Sequence, residues 1–234
     1  MRQRLYQFHR FLGQHMFYAL LLTSALACGI LAARVARVHR LSYVFLFWNL
    51  VLAWTPYWLS LWASASQHRR PREWWRLIAP GTLWLLFFPN APYIVTDLVH
   101  LRERQPVPLW FDIGLLAAFM LSGCFLAVVS LHIMQTLVRR LAGSLASWLF
   151  VGIAVGLSGL GVYLGRLQRW NSWDIVIYPR DVLGDAIRPL LYPASHLHPL
   201  GLSALFAAIL FICYVMYLTA YQSGRAGALS AEHD

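Results

Sequence analysis

Asp97, His100 and Arg104 stand three and then four residues apart at the end of the segment FPNAPYIVTDLVHL, Phe88–Leu101, and just beyond it. If a helix persists that far, the spacing puts all three on one face. An acid, an imidazole and a guanidinium converging near a membrane surface have the chemistry to bind a phosphate-bearing head group and to move a proton. A plainer arrangement uses the same residues: an interfacial polar end with Asp97 paired to Arg102 or Arg104. Asp97 and His100 are too few to hold zinc, which takes at least three protein groups, so neither a metal nor a cofactor is expected. A second cluster lies in GVYLGRLQRWNSWDI, Gly161–Ile175, where Arg166, Arg169, Trp170, Asn171, Trp173 and Asp174 fall within nine residues. Guanidinium forks read planar anions bidentately, and tryptophan and asparagine suit amphipathic head groups or sugars. An aromatic and arginine belt would explain the tryptophans and arginines but not Asn171 and Asp174. The catalytic candidates are therefore Asp97 or Asp174 as base with His100 as proton relay. The ligand-binding candidates are Asn90, Tyr93, Arg104, Arg166, Arg169, Asn171 and Trp173.

The elements that must position these groups are membrane spans. Of the 234 residues, 59% are hydrophobic and only 12% charged, against about a quarter charged in soluble domains. This excludes both an ordinary soluble domain and a disordered chain. Apolar runs at His15–Ala33, Leu41–Ala65, Leu77–Thr96, Ile113–Val138, Leu141–Gly165 and Leu200–Tyr221 predict an all-α polytopic helix bundle of about six spans. The whole chain, 1–234, reads as one integral membrane domain. Asn49 and Pro56 in the second run cannot be satisfied by lipid and should face other helices. Pro89 and Pro92 break the third span, and Asn90 or Ala91 is placed to cap a new half-helix whose free N–H groups suit an anion. In the fifth span, Gly152-xxx-Gly156 and Gly161-xxx-Gly165 point to nearly opposite faces, which predicts a central helix approached closely on both sides. Asp112 opens the fourth span, where a carboxylate complements the helix dipole.

All 19 basic residues are arginine, so Schiff-base chemistry and a Walker-type phosphate loop, both of which need a lysine amine, are excluded. The net charge of +10 sits in small arginine clusters between apolar runs, which argues for membrane-surface anchoring and against nucleic acid as a partner. Cys28, Cys124 and Cys213 lie one to a span, with no paired spacing, and read as core residues. The connection 166–199 is a polar loop at one membrane face, where Tyr178, Arg180, Asp181, Asp185, Arg188, His196 and His198 are placed to cap a site. With six spans it leaves the membrane on the same side as Asp97–Arg104. The arginines divide ten to nine between the two faces, so charge alone does not orient the chain; both termini are placed in the cytoplasm on the assumption that some of the nine serve a site.

On LFFPNAPYIVTDLVHL, the segment Pro108–Asp112 and YLGRLQRWNSWD, the chain resembles the domain-of-unknown-function 1361 family of bacterial multi-pass membrane proteins. The resemblance runs from about the second span, through Asn49 and Pro56, to at least Asp174. It implies a bacterial integral membrane protein, placed here in the inner membrane, and transfers no activity, substrate or catalytic residue. The residues themselves point first to a membrane-interface site that binds or processes an anionic amphiphile such as a phospholipid or a polyprenyl phosphate. Whether that site is catalytic stays open. A small-solute transporter, suggested by the broken third span, and an accessory or assembly subunit docking a membrane-protein partner are the alternatives.

Overall fold

The computed structural model describes residues 2–39, 41–69, 73–101, 107–195 and 197–231. The expectations placed on Arg102, Arg104 and His196 lie outside the described residues. Among the described residues the chain is helical throughout: α1 (Arg2–Gln14), α2 (Phe17–Val38), α3 (Phe45–Arg69), α4 (Ile78–Phe87), α5 (Asn90–Tyr93), α6 (Leu109–Arg166), α7 (Asp174–Ile177), α8 (Pro179–Leu191) and α9 (Leu197–Ala231). Short 3-10 turns at Trp74–Leu77, Ile94–His100 and Pro193–Ser195 join them.

Among the described residues, four stretches are long and apolar enough to cross a membrane: Phe17–Val38, Trp74–His100, Leu109–Arg166 and Leu200–Gly224. The expected count of about six is not confirmed on this measure, for two physical reasons. α3 has the length of a span, at 25 residues, but carries Asn49, Thr55, Ser60, Ser64 and Gln67. The fourth and fifth runs, for their part, are continuous in α6, a 58-residue element interrupted only at Gly143, whose φ of 86° and ψ of −179° are not helical.

That one residue reverses the chain. As a straight rod α6 would be about 87 Å long, at 1.5 Å per residue. Instead its two halves run in opposite directions along α4 and α5. On the first half, a Cβ at Gly81 would meet Met134 and one at Gly123 would meet Ala91, so sequence rises on one side as it falls on the other. On the second half, Trp84 pairs with Phe150 and Gly161 abuts Pro89 while Gly165 abuts Tyr93, so both rise together. α2 and α3 are likewise antiparallel, joined by Trp54 Nε1 donating to Ser24 Oγ at 3.1 Å and Tyr57 OH donating to the His15 carbonyl at 3.1 Å. The core between these elements is built from Leu115, Leu116, Phe119 and Leu126 of α6 with Trp84, Phe88, Ile94, Leu46 and Tyr57.

Three close approaches depend on glycine, the tightest at Gly159, where a Cβ would stand 2.2 Å from the Ser203 carbonyl oxygen. A Cβ on Gly123 would stand 2.6 Å from the Ala91 carbonyl, and one on Gly161 would stand 2.6 Å from the Pro89 ring. The expectation of a helix approached on two faces is thus half met. Gly161 and Gly165 receive the proline-broken segment, but Gly152 and Gly156 have nothing near them, and it is Gly159 that admits α9 at Ser203.

The break in the third span also differs from expectation. Asn90 is not a cap with free N–H groups beyond it. The Ala91 amide bonds to the Phe88 carbonyl at 3.2 Å, and the Asn90 side chain donates to the Phe87 carbonyl at 3.0 Å. The Ala91 amide thereby takes up the Phe88 carbonyl, which Pro92 leaves without its usual donor, and the Asn90 side chain takes up the Phe87 carbonyl from which that amide is withdrawn. Beyond α5 the chain tightens into the 3-10 turn Ile94–His100 and ends at Leu101, which is extended with ψ of 115°. The turn that carries Asp97 and His100 therefore ends before Leu101.

Candidate functional site

Three residues per turn in a 3-10 helix bring positions i and i+3 into register, and Asp97 and His100 are such a pair. Asp97 is buried, with 1% of its surface exposed. Asn49, from α3, donates its amide to Asp97 Oδ2 at 2.7 Å, and Oδ1 faces the Arg166 guanidinium at 3.9 Å and the His100 imidazole Nδ1 at 3.9 Å. Arg166 and the His100 ring stand 3.4 Å apart. Exposure grades outward, from Asp97 through Arg166 at 20% to His100 at 41%. The cluster is a sealed carboxylate at the base with a guanidinium and an imidazole at the mouth. At 3.9 Å neither group is hydrogen-bonded to the acid, and the Arg166 fork, which meets the His100 ring through one terminal nitrogen, has further donors to offer an anion.

Gly165, one residue before Arg166, lets the Tyr93 ring lie against the helix backbone, with 3.0 Å to a would-be Cβ. Tyr93 is thus packed against the helix one residue before Arg166. The two segments singled out from sequence, Phe88–Leu101 and Gly161–Asp174, are brought together here. They are joined again by Asn90 donating to Ser172 Oγ at 2.9 Å.

The remaining candidates are placed differently. Asp174 opens α7, and its Oδ2 accepts from the Asn171 amide at 2.7 Å and the Asn171 side chain at 3.2 Å. Both residues are thus engaged in closing a local turn. Trp173 is exposed. Arg169 is exposed and left-handed, with φ of 63°, and its turn carries the Trp170 amide back to the Leu164 carbonyl at 3.1 Å. Trp170 in turn donates its indole N–H to Asp185 of α8 at 2.9 Å, which holds α8 to this face.

The family model described as "Protein of unknown function (DUF1361)" matches residues 48–216, nearly three quarters of the chain. The chain belongs to this family. The match takes in Asn49, Asp97, His100 and Arg166, and it extends beyond the segments that carried the sequence resemblance into α9. No curated protein and no solved structure matches the chain. With several apolar helices long enough to span, this member of the DUF1361 family is a membrane protein.

One ionic cluster was not anticipated. Arg34, near the end of α2, donates through Nε to Asp112 Oδ1 at 2.6 Å and through a terminal nitrogen to Oδ2 at 3.0 Å, with both side chains at most 2% exposed. Its guanidinium lies 4.4 Å from the centre of the Tyr43 ring, and the Tyr43 hydroxyl donates to the His100 carbonyl at 3.1 Å. Asp112 is therefore more than a dipole complement at a helix start: it is the counter-ion of a buried arginine. The signal was present, since an ionisable residue next to an apolar run should have a partner. Arg34 falls just past the first apolar run, His15–Ala33, where nothing local names its partner.

Proposed function

We propose that the protein binds the phosphate-bearing head group of an anionic amphiphile at one membrane surface, with Arg166 and His100 as the receiving groups and Asp97 as the buried counter-charge that holds them. The observation that carries this reading is the asymmetry of the cluster. Asp97 is fixed by Asn49, while the two groups at the mouth keep uncommitted donors. A phosphate meeting a guanidinium in this partly desolvated setting forms charge-assisted bonds stronger than those available in water. Tyr93 supplies an apolar wall, and Arg169 and Trp173 line the exposed approach. Binding takes precedence over proton transfer because Asp97 and His100 are 3.9 Å apart, beyond hydrogen-bond reach. The catalytic reading of Asp97 with His100 requires that gap to close on ligand. We read the chain as passing six times through a bacterial inner membrane, with α3 and the two halves of α6 among the passes and both termini in the cytoplasm.

Native mass spectrometry of protein extracted with its surrounding lipid tests the site. Arg166→Ala and His100→Ala are expected to lose a co-purifying anionic lipid while keeping the thermal unfolding profile of the parent chain. Equal retention in both variants would remove the site assignment, and gradient-dependent uptake of a solute into proteoliposomes would replace it with transport.

A further inference from the structure

We infer that α8 lies in the plane of the membrane surface with Leu183, Ile187 and Leu191 seated among lipid acyl chains, on the face of the membrane that carries Asp97 and Arg166. The inference does not depend on what the Asp97 cluster binds.

α8 has three distinct sides. At about 100° per residue, Val182, Ala186 and Pro189 fall on one side; Val182 and Pro189 are buried, and the helix packs on α6 and α9. Leu183, Ile187 and Leu191 recur every four residues on a second side and are 49%, 45% and 66% exposed. Asp181, Asp185 and Arg188 form the third, with Asp185 and Arg188 paired at 3.7 Å. A helix packed on one side only and sitting in water would have little reason to keep three large aliphatics in a row on its second side.

Its position supplies the occupant. The polypeptide enters this segment from the Arg166 end of α6 and leaves it into α9, both long enough and apolar enough to be spans. At 13 residues, α8 is about 20 Å long, too short to cross a hydrocarbon core of about 30 Å. A helix tethered at both ends to spans and packed against them sits at the boundary they cross. Exposed Trp173, Tyr178 and Tyr192 flank it at both ends, where amphipathic rings meet head groups. The aliphatic stripe also continues a surface that lipid must cover, since α9 exposes Leu205, Ile209, Ile212 and Met216. Arg180 and Arg188 are exposed beside the stripe, placed to reach lipid phosphates as their stems lie along the acyl boundary.

Nitroxide scanning of the full chain tests this. Cys28, Cys124 and Cys213 are replaced by alanine, and single cysteines are introduced as Asp181→Cys, Leu183→Cys, Ile187→Cys, Arg188→Cys and Leu191→Cys. All five positions are exposed, so the label leaves the packed side intact. Labelled protein is reconstituted in vesicles of phosphatidylcholine and phosphatidylglycerol, and collision with oxygen is compared with collision with a water-soluble nickel chelate. The oxygen-to-nickel ratio at 183, 187 and 191 is expected to exceed that at 181 and 188 by about tenfold, as for a helix half sunk in the interface. Equal ratios at all five positions would place α8 in water and overturn the inference. Protection of 183, 187 and 191 from both reagents would overturn it too, by putting a second copy or another protein on the stripe.

Discussion

A charged side chain removed from water must find a partner or neutralise, and the two buried carboxylates of this site face do so in opposite ways. Asp112 takes both oxygens of its charge to one arginine, at 2.6 and 3.0 Å, and the pair is shut off from solvent. Asp97 accepts one neutral amide and stands 3.9 Å from both the Arg166 guanidinium and the His100 ring. The first arrangement is closed; the second leaves guanidinium donors that the acid does not take. Breaking the closed pair is accordingly expected to be costly: Arg34→Met or Asp112→Asn alone should destabilise by about 3–5 kcal/mol, because a buried group is left without its counterpart. Arg34→Met combined with Asp112→Leu should recover most of that loss. Denaturant unfolding in detergent reads all three variants, and additive losses in the double variant would contradict the pairing. Arg169 makes the complementary case. A left-handed backbone costs an L-residue about 1 kcal/mol that glycine does not incur. Arg169→Gly should therefore leave the protein as stable or about 1 kcal/mol more stable while weakening retention of anionic lipid, measured on the same samples by unfolding and native mass spectrometry.

At the scale of elements, α4, α5 and the following 3-10 turn form one span that narrows as it approaches the site. Pro89 and Pro92 remove two backbone donors, and the segment is accepted only because the second half of α6 offers bare backbone at Gly161 and Gly165 for it to lie against. Gly161→Ala forces a methyl group into a rigid pyrrolidine ring and is expected to destabilise by about 1–3 kcal/mol, moving Tyr93 and Arg166 with it. Gly152→Ala, on the same helix but with open space around it, is expected to be neutral or stabilising by up to about 1 kcal/mol. Thermal unfolding of the two variants side by side separates close packing from helix propensity. Equal behaviour would mean that the two helices do not meet at Gly161.

For the whole molecule, the decisive feature is the reversal at Gly143. It brings the Asp112 end and the Arg166 end of one 58-residue element to the same end of the bundle. A chain of contacts fixes this: Asp112 to Arg34, Arg34 to Tyr43, Tyr43 to the His100 backbone, and His100 to Arg166. Spin labels at Trp110 and Leu167 should thus lie well within about 40 Å of each other, whereas an unbroken helix would hold them roughly 85 Å apart. A double electron–electron resonance distance near the second value would refute the hairpin. A backbone with φ of 86° and ψ near 180° belongs to glycine almost alone, so Gly143 is the residue at which the reversal is encoded.

Sequence by itself determined the helical membrane class and the broken third span, and it singled out Phe88–Leu101 and Gly161–Asp174, the two segments that the fold packs together. Each follows from composition, from residues a few positions apart, or from the fixed geometry of proline. It also named Asp97, His100 and Arg166. What joins them was settled only in three dimensions. Asn49 reaches Asp97 across 48 positions and Arg34 reaches Asp112 across 78, and no local periodicity carries information over such separations. The same holds for the element boundaries that moved. Asn90 became a backbone donor instead of a helix cap because the neighbouring carbonyl needed it, and Asp174 turned to Asn171 because the chain closes on itself after Arg169. Propensity and pattern act over a turn of helix, whereas the partner of a buried charge is chosen by whichever helix is packed against it.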